Sequence, residues 1–323
     1  MKKHTDTISL PLIIEKILLE ESDLNHLVTL DDIMVRLEED YQTVYDRRSV
    51  YRAIKALNDN GRTVLYERKN NVRGYRIIHP LTSSEALICL NAIHDSPGLS
   101  QKETESLTAG IRAMLSRYDD AMIADFSTNP VKTDNENVVA NIHILLQAIS
   151  DNTIIEFSYY DISVTKQKQY RKKNQRYHLA PYAIVSSGGR YYCIFHDEKH
   201  QSFANYRIDK MDRLVNTGIS FDPVPFNLES HLNASFQMYH GVMESVTLKI
   251  DLELASIVFD QFGRDIIISE VEDTSFTATI RTAVTPTLIS WILMFEKHIT
   301  VLRPNSLIEE ITELAGAIQK KYR

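Results

Sequence analysis

The chain has 323 residues, a formal net charge of −7 and a mean hydropathy of −0.23. That length exceeds one ordinary core and predicts two or three domains. A hydrophobic content of 43% with 24% charged residues excludes a disordered or fibrous chain, and no window reaches the roughly 18 apolar residues of a membrane span.

Cys89 and Cys193 are the only cysteines and sit in apolar surroundings, which predicts buried thiols in a reducing cytoplasm rather than a disulfide. The opening MKKHTDTISLPLII is basic first, but its apolar run is too short for a signal peptide. The expected location is cytoplasmic.

In chain order, residues 8–21 show helical spacing at Leu12, Ile14, Ile17 and Leu18. Thr29 followed by Asp31 and Asp32 marks the start of a second helix with Leu30, Ile33, Met34 and Leu37 on its apolar face. Asp46 is the expected N-cap of a third helix, and Gly61 its stop. Strands are expected at 63–67 and 75–79, with RKNNVRG (68–74) as the tip between them. Three helices and a hairpin make a winged helix-turn-helix over residues 1–80.

From Arg47 to Arg76 this unit gathers nine Lys/Arg against two acids, Asp59 and Glu67, in a chain that is acidic as a whole. Such an island points to an anionic partner, and duplex DNA fits it. Val50, Ile54 and Leu57 at i, i+4 and i+7 form a buried stripe. Arg47, Arg48, Ser49, Tyr51, Arg52 and Lys55 are the expected base and phosphate contacts of the helix, and Arg68, Lys69 and Arg73 those of the hairpin tip. A solvated charged helix face is the competing reading. The stretch resembles the recognition helix and wing of DeoR-like bacterial regulators through Asp46, Arg48, Ser49, Tyr51, Arg52, Leu57 and Gly61.

Residues 83–126 read as helical and STNPVKTDNEN (127–137) as a polar linker. Residues 81–137 form the expected helical linker region. A helix at 138–150 leads into a strand at 153–161, two strands joined at Gly188-Gly189, and one strand over 203–216. Residues 165–177, TKQKQYRKKNQRY, hold six basic residues and no acid, with Tyr170 and Tyr177 interleaved. Bases stack on such rings while cations hold the backbone; a mobile solvated loop is the alternative.

The segment from His178 to Leu214 resembles the WYL domain, an SH3-like β-barrel of bacterial regulators. The family's Trp-Tyr-Leu triplet reads Tyr191-Tyr192-Cys193 here, and its Phe-Arg-Leu-Asp-Arg-Ile strand reads Tyr206-Arg207-Ile208-Asp209-Lys210-Met211, with Pro181 starting the preceding strand. The resemblance implies a nucleic-acid or nucleotide effector held by Tyr192 and Arg207, with Tyr191, Lys210, Arg213 and His178 around them; Arg171 and Lys172 of the basic 165–177 stretch are expected effector contacts beside them. Residues 243–323 read as strand, helix, two strands, helix, strand, helix, a ferredoxin-like βαββαβ pattern with one extra helix. They resemble the C-terminal extension of WYL proteins, WILMFEKHITVLRP matching its helix-to-strand junction.

The expected fold class is therefore α+β multidomain: winged helix-turn-helix (1–80), helical linker (81–137), SH3-like WYL barrel (138–225) and ferredoxin-like extension (226–323). The expected function is a ligand-responsive transcription regulator, with repression favoured. It reads a palindromic operator in double-stranded DNA as a homodimer and takes a nucleic-acid or nucleotide effector. Alternatives are an accessory RNA- or single-strand-binding protein of a phage-defence system, and a nucleotide-processing enzyme. No P-loop, GxSxG, CxxC or HExxH occurs, and the expectation is no enzyme, no metal, no cofactor and no membrane partner. His196 and His200 lie at i, i+4, but on a strand end rather than a helix.

Overall fold

The computed structural model describes residues 9–123, 130–233, 235–236 and 238–323. The chain divides into two compact units, Met1–Val139 and Ala140–Arg323.

In the first unit, α1 (Leu10–Glu21) starts with Pro11 in its first turn, where a missing N–H costs nothing. The helix α2 (Leu30–Tyr41) opens on a capping box: Asp32 N–H donates to Thr29 Oγ1 at 3.1 Å and Thr29 N–H donates to Asp32 Oδ2 at 2.9 Å. The helix α3 (Arg47–Asp59) is capped by Asp46, as expected, and Gly61 follows its end at φ +84°. Val50, Ala53, Ile54 and Leu57 of α3 are buried in one core with Ile14, Ile17, Leu18, Ile33 and Leu37. Each such Val, Leu or Ile side chain contributes roughly 1.5–3 kcal/mol when fully buried.

The hairpin is tighter than the sequence suggests. Strands β1 (Val64–Lys69) and β2 (Val72–Ile77) pair antiparallel from Val64↔Ile77 to Lys69↔Val72. Only Asn70 and Asn71 form the turn, both at positive φ (47° and 65°), the geometry of a two-residue turn that suits strand twist. The expected tip residues Arg68, Lys69 and Arg73 therefore lie on strands. Gly74 is not a turn residue either. A Cβ there would meet the Val28 carbonyl oxygen at 2.7 Å, because Val28 bridges Tyr75 through two backbone hydrogen bonds of 2.9 and 2.7 Å.

The stretch read as helical over 83–126 is three helices, α4 (Ser83–His94), α5 (Gln101–Arg112) and α6 (Arg117–Met122). Pro97 and Gly98 break the first from the second, and Thr82, Ser100 and Ser116 each supply a side-chain cap. Residues 130–137 are irregular; 124–129, including the start of the expected linker, lie outside the described residues. Lys132 donates to the carbonyls of Ile93, His94 and Ser96 at 3.2, 2.7 and 3.0 Å, closing the end of α4.

After α7 (Val138–Asp151) comes a curled half-barrel: β3 (Thr153–Ile162), β4 (Lys168–Tyr170), β5 (Tyr177–Ser187), β6 (Arg190–Asp197), β7 (Ser202–Arg207) and β8 (Met211–Ser220). The path runs β4-β3-β5-β6-β7, and β8 pairs with β3. The single strand expected over 203–216 is broken by a 3-10 turn at Ile208–Lys210, which lets the chain leave β6 and rejoin β3. Phe157, Ile194, Phe195, Ile208 and Met211 are fully buried in its interior.

A short helix α8 (Leu228–Asn233) and two two-residue strands, β9 (Ser235–Phe236) and β10 (Tyr239–His240), follow. The last sheet uses β11 (Val242–Asp251), β12 (Ile267–Val271), β13 (Ser275–Val284) and β14 (Ile299–Arg303), with α9 (Ala255–Phe262), α10 (Pro286–Met294) and α11 (Asn305–Lys321). Its order is β12-β13-β11-β14 with every neighbour antiparallel, the split βαβ arrangement read from the sequence. Val258 of α9 and Leu288, Ile289, Trp291 and Ile292 of α10 share its core with Val246, Leu248, Ile250 and Phe276.

Candidate nucleic-acid interface

The structure sorts the basic island of residues 47–76 into two classes. Four of its cations are spent within the protein. Arg62 pairs with Glu15 at 2.6 Å, Arg76 forks onto Glu67 at 2.7 and 3.2 Å, and Arg47 meets Asp31 at 2.7 Å. Lys69 donates to the Leu24 carbonyl and to Asn25 Oδ1 at 2.6 and 2.7 Å, tying the hairpin end to the loop after α1. Lys69 is thus a brace rather than the free tip contact expected. The Arg47 pair is exposed on both sides and holds it weakly.

The other five, Arg48, Arg52, Lys55, Arg68 and Arg73, form no ion pair among the described residues, and all five are exposed on α3 or at the hairpin end, with Tyr51 nearby on α3; Arg68 donates to Asn71 Oδ1 at 3.1 Å. Arg48, Tyr51, Arg52 and Lys55 share the face of α3 opposite its buried stripe.

Ser49 has a different role from the phosphate contact expected. Its backbone N–H and hydroxyl both donate to Asp46, at 3.0 and 2.8 Å, and its oxygen accepts from Arg52 at 3.3 Å. These bonds from the Ser49 hydroxyl and N–H hold the Asp46 carboxyl below its ordinary range. The chain Asp46–Ser49–Arg52 fixes the guanidinium along the first turn of α3, while Arg52 Nε reaches back to the Arg48 carbonyl at 3.4 Å.

A second charged surface lies on the half-barrel. Arg207 forks onto Asp209 at 3.0 and 2.6 Å, and Arg190 reaches the same carboxylate at 3.3 Å. Asp209 is only 3% exposed, so the two arginines neutralise a buried acid. Tyr192 lies directly across from Arg207 on β6. The Arg207 N–H donates to the Tyr159 hydroxyl at 3.2 Å, and burial pushes that phenol up to about 12. The Arg171 guanidinium stands 5.1 Å from the Tyr159 ring centre. Arg171 and Lys210 then converge on Asp161, each at 2.6 Å, and their hydrogen bonds draw its carboxyl down to about 2. Lys172 sits 4.0 Å above the ring of Tyr177.

Tyr192, Arg207, Lys210, Arg171 and Lys172 therefore belong to one surface, where five cations including Arg190 face two carboxylates, Asp161 and Asp209. The remaining expected residues lie apart. His178 and Arg176 both bind Glu156. Arg213 stacks on Tyr170 at 5.4 Å, and the Tyr170 hydroxyl donates to Asp212. Tyr191 neighbours Tyr192 on β6 and so points to the opposite face of the sheet. Asp161, Tyr159 and Arg190 were not read from the sequence. Asp209 lies inside the quoted Tyr206–Met211 stretch, where an acid two residues from Arg207 was the available signal.

Comparison with known proteins supports the second unit's organisation. Residues 140–215 match the WYL domain and residues 243–319 the WCX domain. Among solved structures the chain is similar to the proteasome accessory factor B/C (PafBC) of Arthrobacter aurescens, at 15% identity over 93% of this chain and 45% of that one, with a TM-score of 0.27. It thus spans less than half of that protein's length. It is also similar to a CRISPR Cas-related protein, at 16% identity over 92% of this chain and 78% of that one, with a TM-score of 0.37. No curated protein matches it. Among the described residues no helix is long and apolar enough to cross a membrane. A WYL domain followed by a WCX domain, in the order read from the sequence, is consistent with the WYL-domain proteins.

Proposed function

We propose that the protein is a cytoplasmic transcription regulator that binds a specific operator in duplex DNA and changes that binding when an anionic effector occupies its WYL domain. The observation that carries the first half is the exposed face of α3, where Arg48, Tyr51, Arg52 and Lys55 stand above a buried stripe and the cations form no salt bridge among the described residues. Three helices and a hairpin on one core are read as a winged helix, with α3 entering the major groove and Arg68 and Arg73 on the backbone.

The second half rests on the surface of Arg171, Lys172, Lys210, Arg207 and Tyr192. Its excess of cations over carboxylates, and its cations set on tyrosine rings, suit a single-stranded nucleic acid or a nucleotide. A homodimer acting as a repressor on a palindromic site is the preferred form, because one short helix reads few base pairs. The effector must favour one placement of the reading heads, since equal affinity for both would shift nothing. The reading includes no catalytic step.

Selection of bound sequences from random duplex DNA tests the proposal. A defined, two-fold symmetric motif is expected. Recovery of no motif, with tighter binding to single strands than to duplex, would instead favour the single-strand-binding reading that the half-barrel surface also suits.

A further inference from the structure

Strand alternation divides the hairpin into two faces. Val64, Tyr66 and Arg68 of β1 share one face with their partners Ile77, Tyr75 and Arg73 of β2. At its base this face is core: Val64 and Ile77 are 6% and 2% exposed and pack in the cluster that includes Val50 and Ile54 of α3. It is therefore the side of the hairpin that looks toward α3. The opposite face carries Glu67 with Arg76, and Lys69, whose polar groups are satisfied within the protein.

Outward along the α3-facing side, burial ends abruptly. Tyr75 is 8% exposed, whereas Tyr66 across from it is 60% exposed, their rings 4.9 Å apart. Tyr51 on α3 is also largely exposed. Burial, then the phenols of Tyr51 and Tyr66, push the Tyr75 hydroxyl up. Covering Tyr75 needs only an aromatic ring. The Tyr66 hydroxyl has no partner among the described residues, and on this face Tyr66 lies between the Arg68–Arg73 pair and the base that packs with Val50 and Ile54 of α3.

We infer that Tyr66 is a further nucleic-acid contact, its ring lying on a sugar and its hydroxyl donating to a phosphate between those held by α3 and those held by Arg68 and Arg73. The inference rests on the duplex-binding reading above. A neutral donor at that point adds a hydrogen bond to a charged acceptor without adding charge. That combination gives a signature that an arginine contact does not share.

The test uses the full chain and a fluorescein-labelled duplex of mixed sequence, about 30 base pairs long to cover two half-sites, titrated by anisotropy across a salt series. Tyr66→Phe is expected to weaken binding about tenfold and Tyr66→Ala about 30-fold, both with the salt slope of the wild type. Tyr322→Ala, an exposed tyrosine on the far end of the chain, is expected to leave binding unchanged. Circular dichroism checks that each variant is folded. If the wild type binds and Tyr66→Ala stays within twofold of it, Tyr66 is no contact while the duplex reading stands. A changed salt slope would show that the substitution disturbs the charged residues instead, and would overturn the assignment. If the wild type binds no duplex at low salt, both readings fall.

Discussion

The division of the basic island into paired and unpaired cations fixes how DNA affinity should respond to salt. Each phosphate neutralised releases counterions, and log affinity falls by about 0.9 per contact against log salt. Nine cations acting together would give a slope near −8 for each reading head. Among the described residues five have no ion pair, Arg48, Arg52, Lys55, Arg68 and Arg73, for a slope of about −4.5. Between about 50 and 200 mM salt that amounts to a loss of roughly 500-fold per head. Single substitutions sharpen the test. Arg68→Ala should lower the slope by about 0.9. Arg62→Ala, which removes the partner of Glu15, should leave it unchanged. Anisotropy titrations at five salt concentrations measure each slope. Equal effects from Arg62 and Arg68 would refute the sorting, and a slope near zero would refute electrostatic recognition altogether.

Other expectations concern the half-barrel and the hairpin. Arg207→Ala is a poor probe of effector binding, because it removes the two-pronged guanidinium partner of the buried Asp209; a fall in unfolding temperature is expected with it. Lys172→Gln is cleaner, since Lys172 pairs with no acid among the described residues: binding of a labelled single-stranded oligonucleotide should weaken about fivefold, from the loss of one cation available to its phosphates, with duplex affinity unchanged. Asp161→Asn frees Arg171 and Lys210 and should tighten the same single strand. The Asp161 carboxyl lies at about 2, below the ordinary value of about 3.9, so its contribution to stability is present above the ordinary value and is lost as pH falls toward about 2. The difference in unfolding temperature between wild type and Asp161→Asn should therefore shrink over that interval; a difference that grows on acidification would reverse the sign argued here. Gly74→Ala pushes a Cβ against the Val28 carbonyl and should destabilise the first unit by about 1–3 kcal/mol, read by thermal unfolding.

Local signals were legible in the sequence and distant pairings were not. The stripe Val50, Ile54, Leu57 and the caps Thr29 and Asp46 are set by helix period and by neighbours within four residues, and each stands where expected. The βαββαβ order was readable because its strands and helices alternate cleanly. The ion pairs Arg62–Glu15 and Arg47–Asp31 join different elements, so nothing in the local pattern of charge marks those arginines as occupied. Gly74 looked like a turn residue because its requirement comes from Val28, far back in the chain. The tip was misplaced because Asn70-Asn71 alone suffices for the turn. On the half-barrel, Asp161 and Asp209 only gain meaning once β3, β4 and the 3-10 turn are assembled around them.

The hairpin is fastened at two points, by Lys69 to the loop after α1 and by the Val28–Tyr75 bridge. A wing held only by its turn would sample many positions and lose that freedom on meeting DNA. This one is already pinned, so little conformational entropy is surrendered on association. On the duplex-binding reading it would act as a ruler of fixed length between contacts made by α3 and those made by Arg68 and Arg73. Duplexes whose groove width departs from that length should be discriminated against without any change in base contacts.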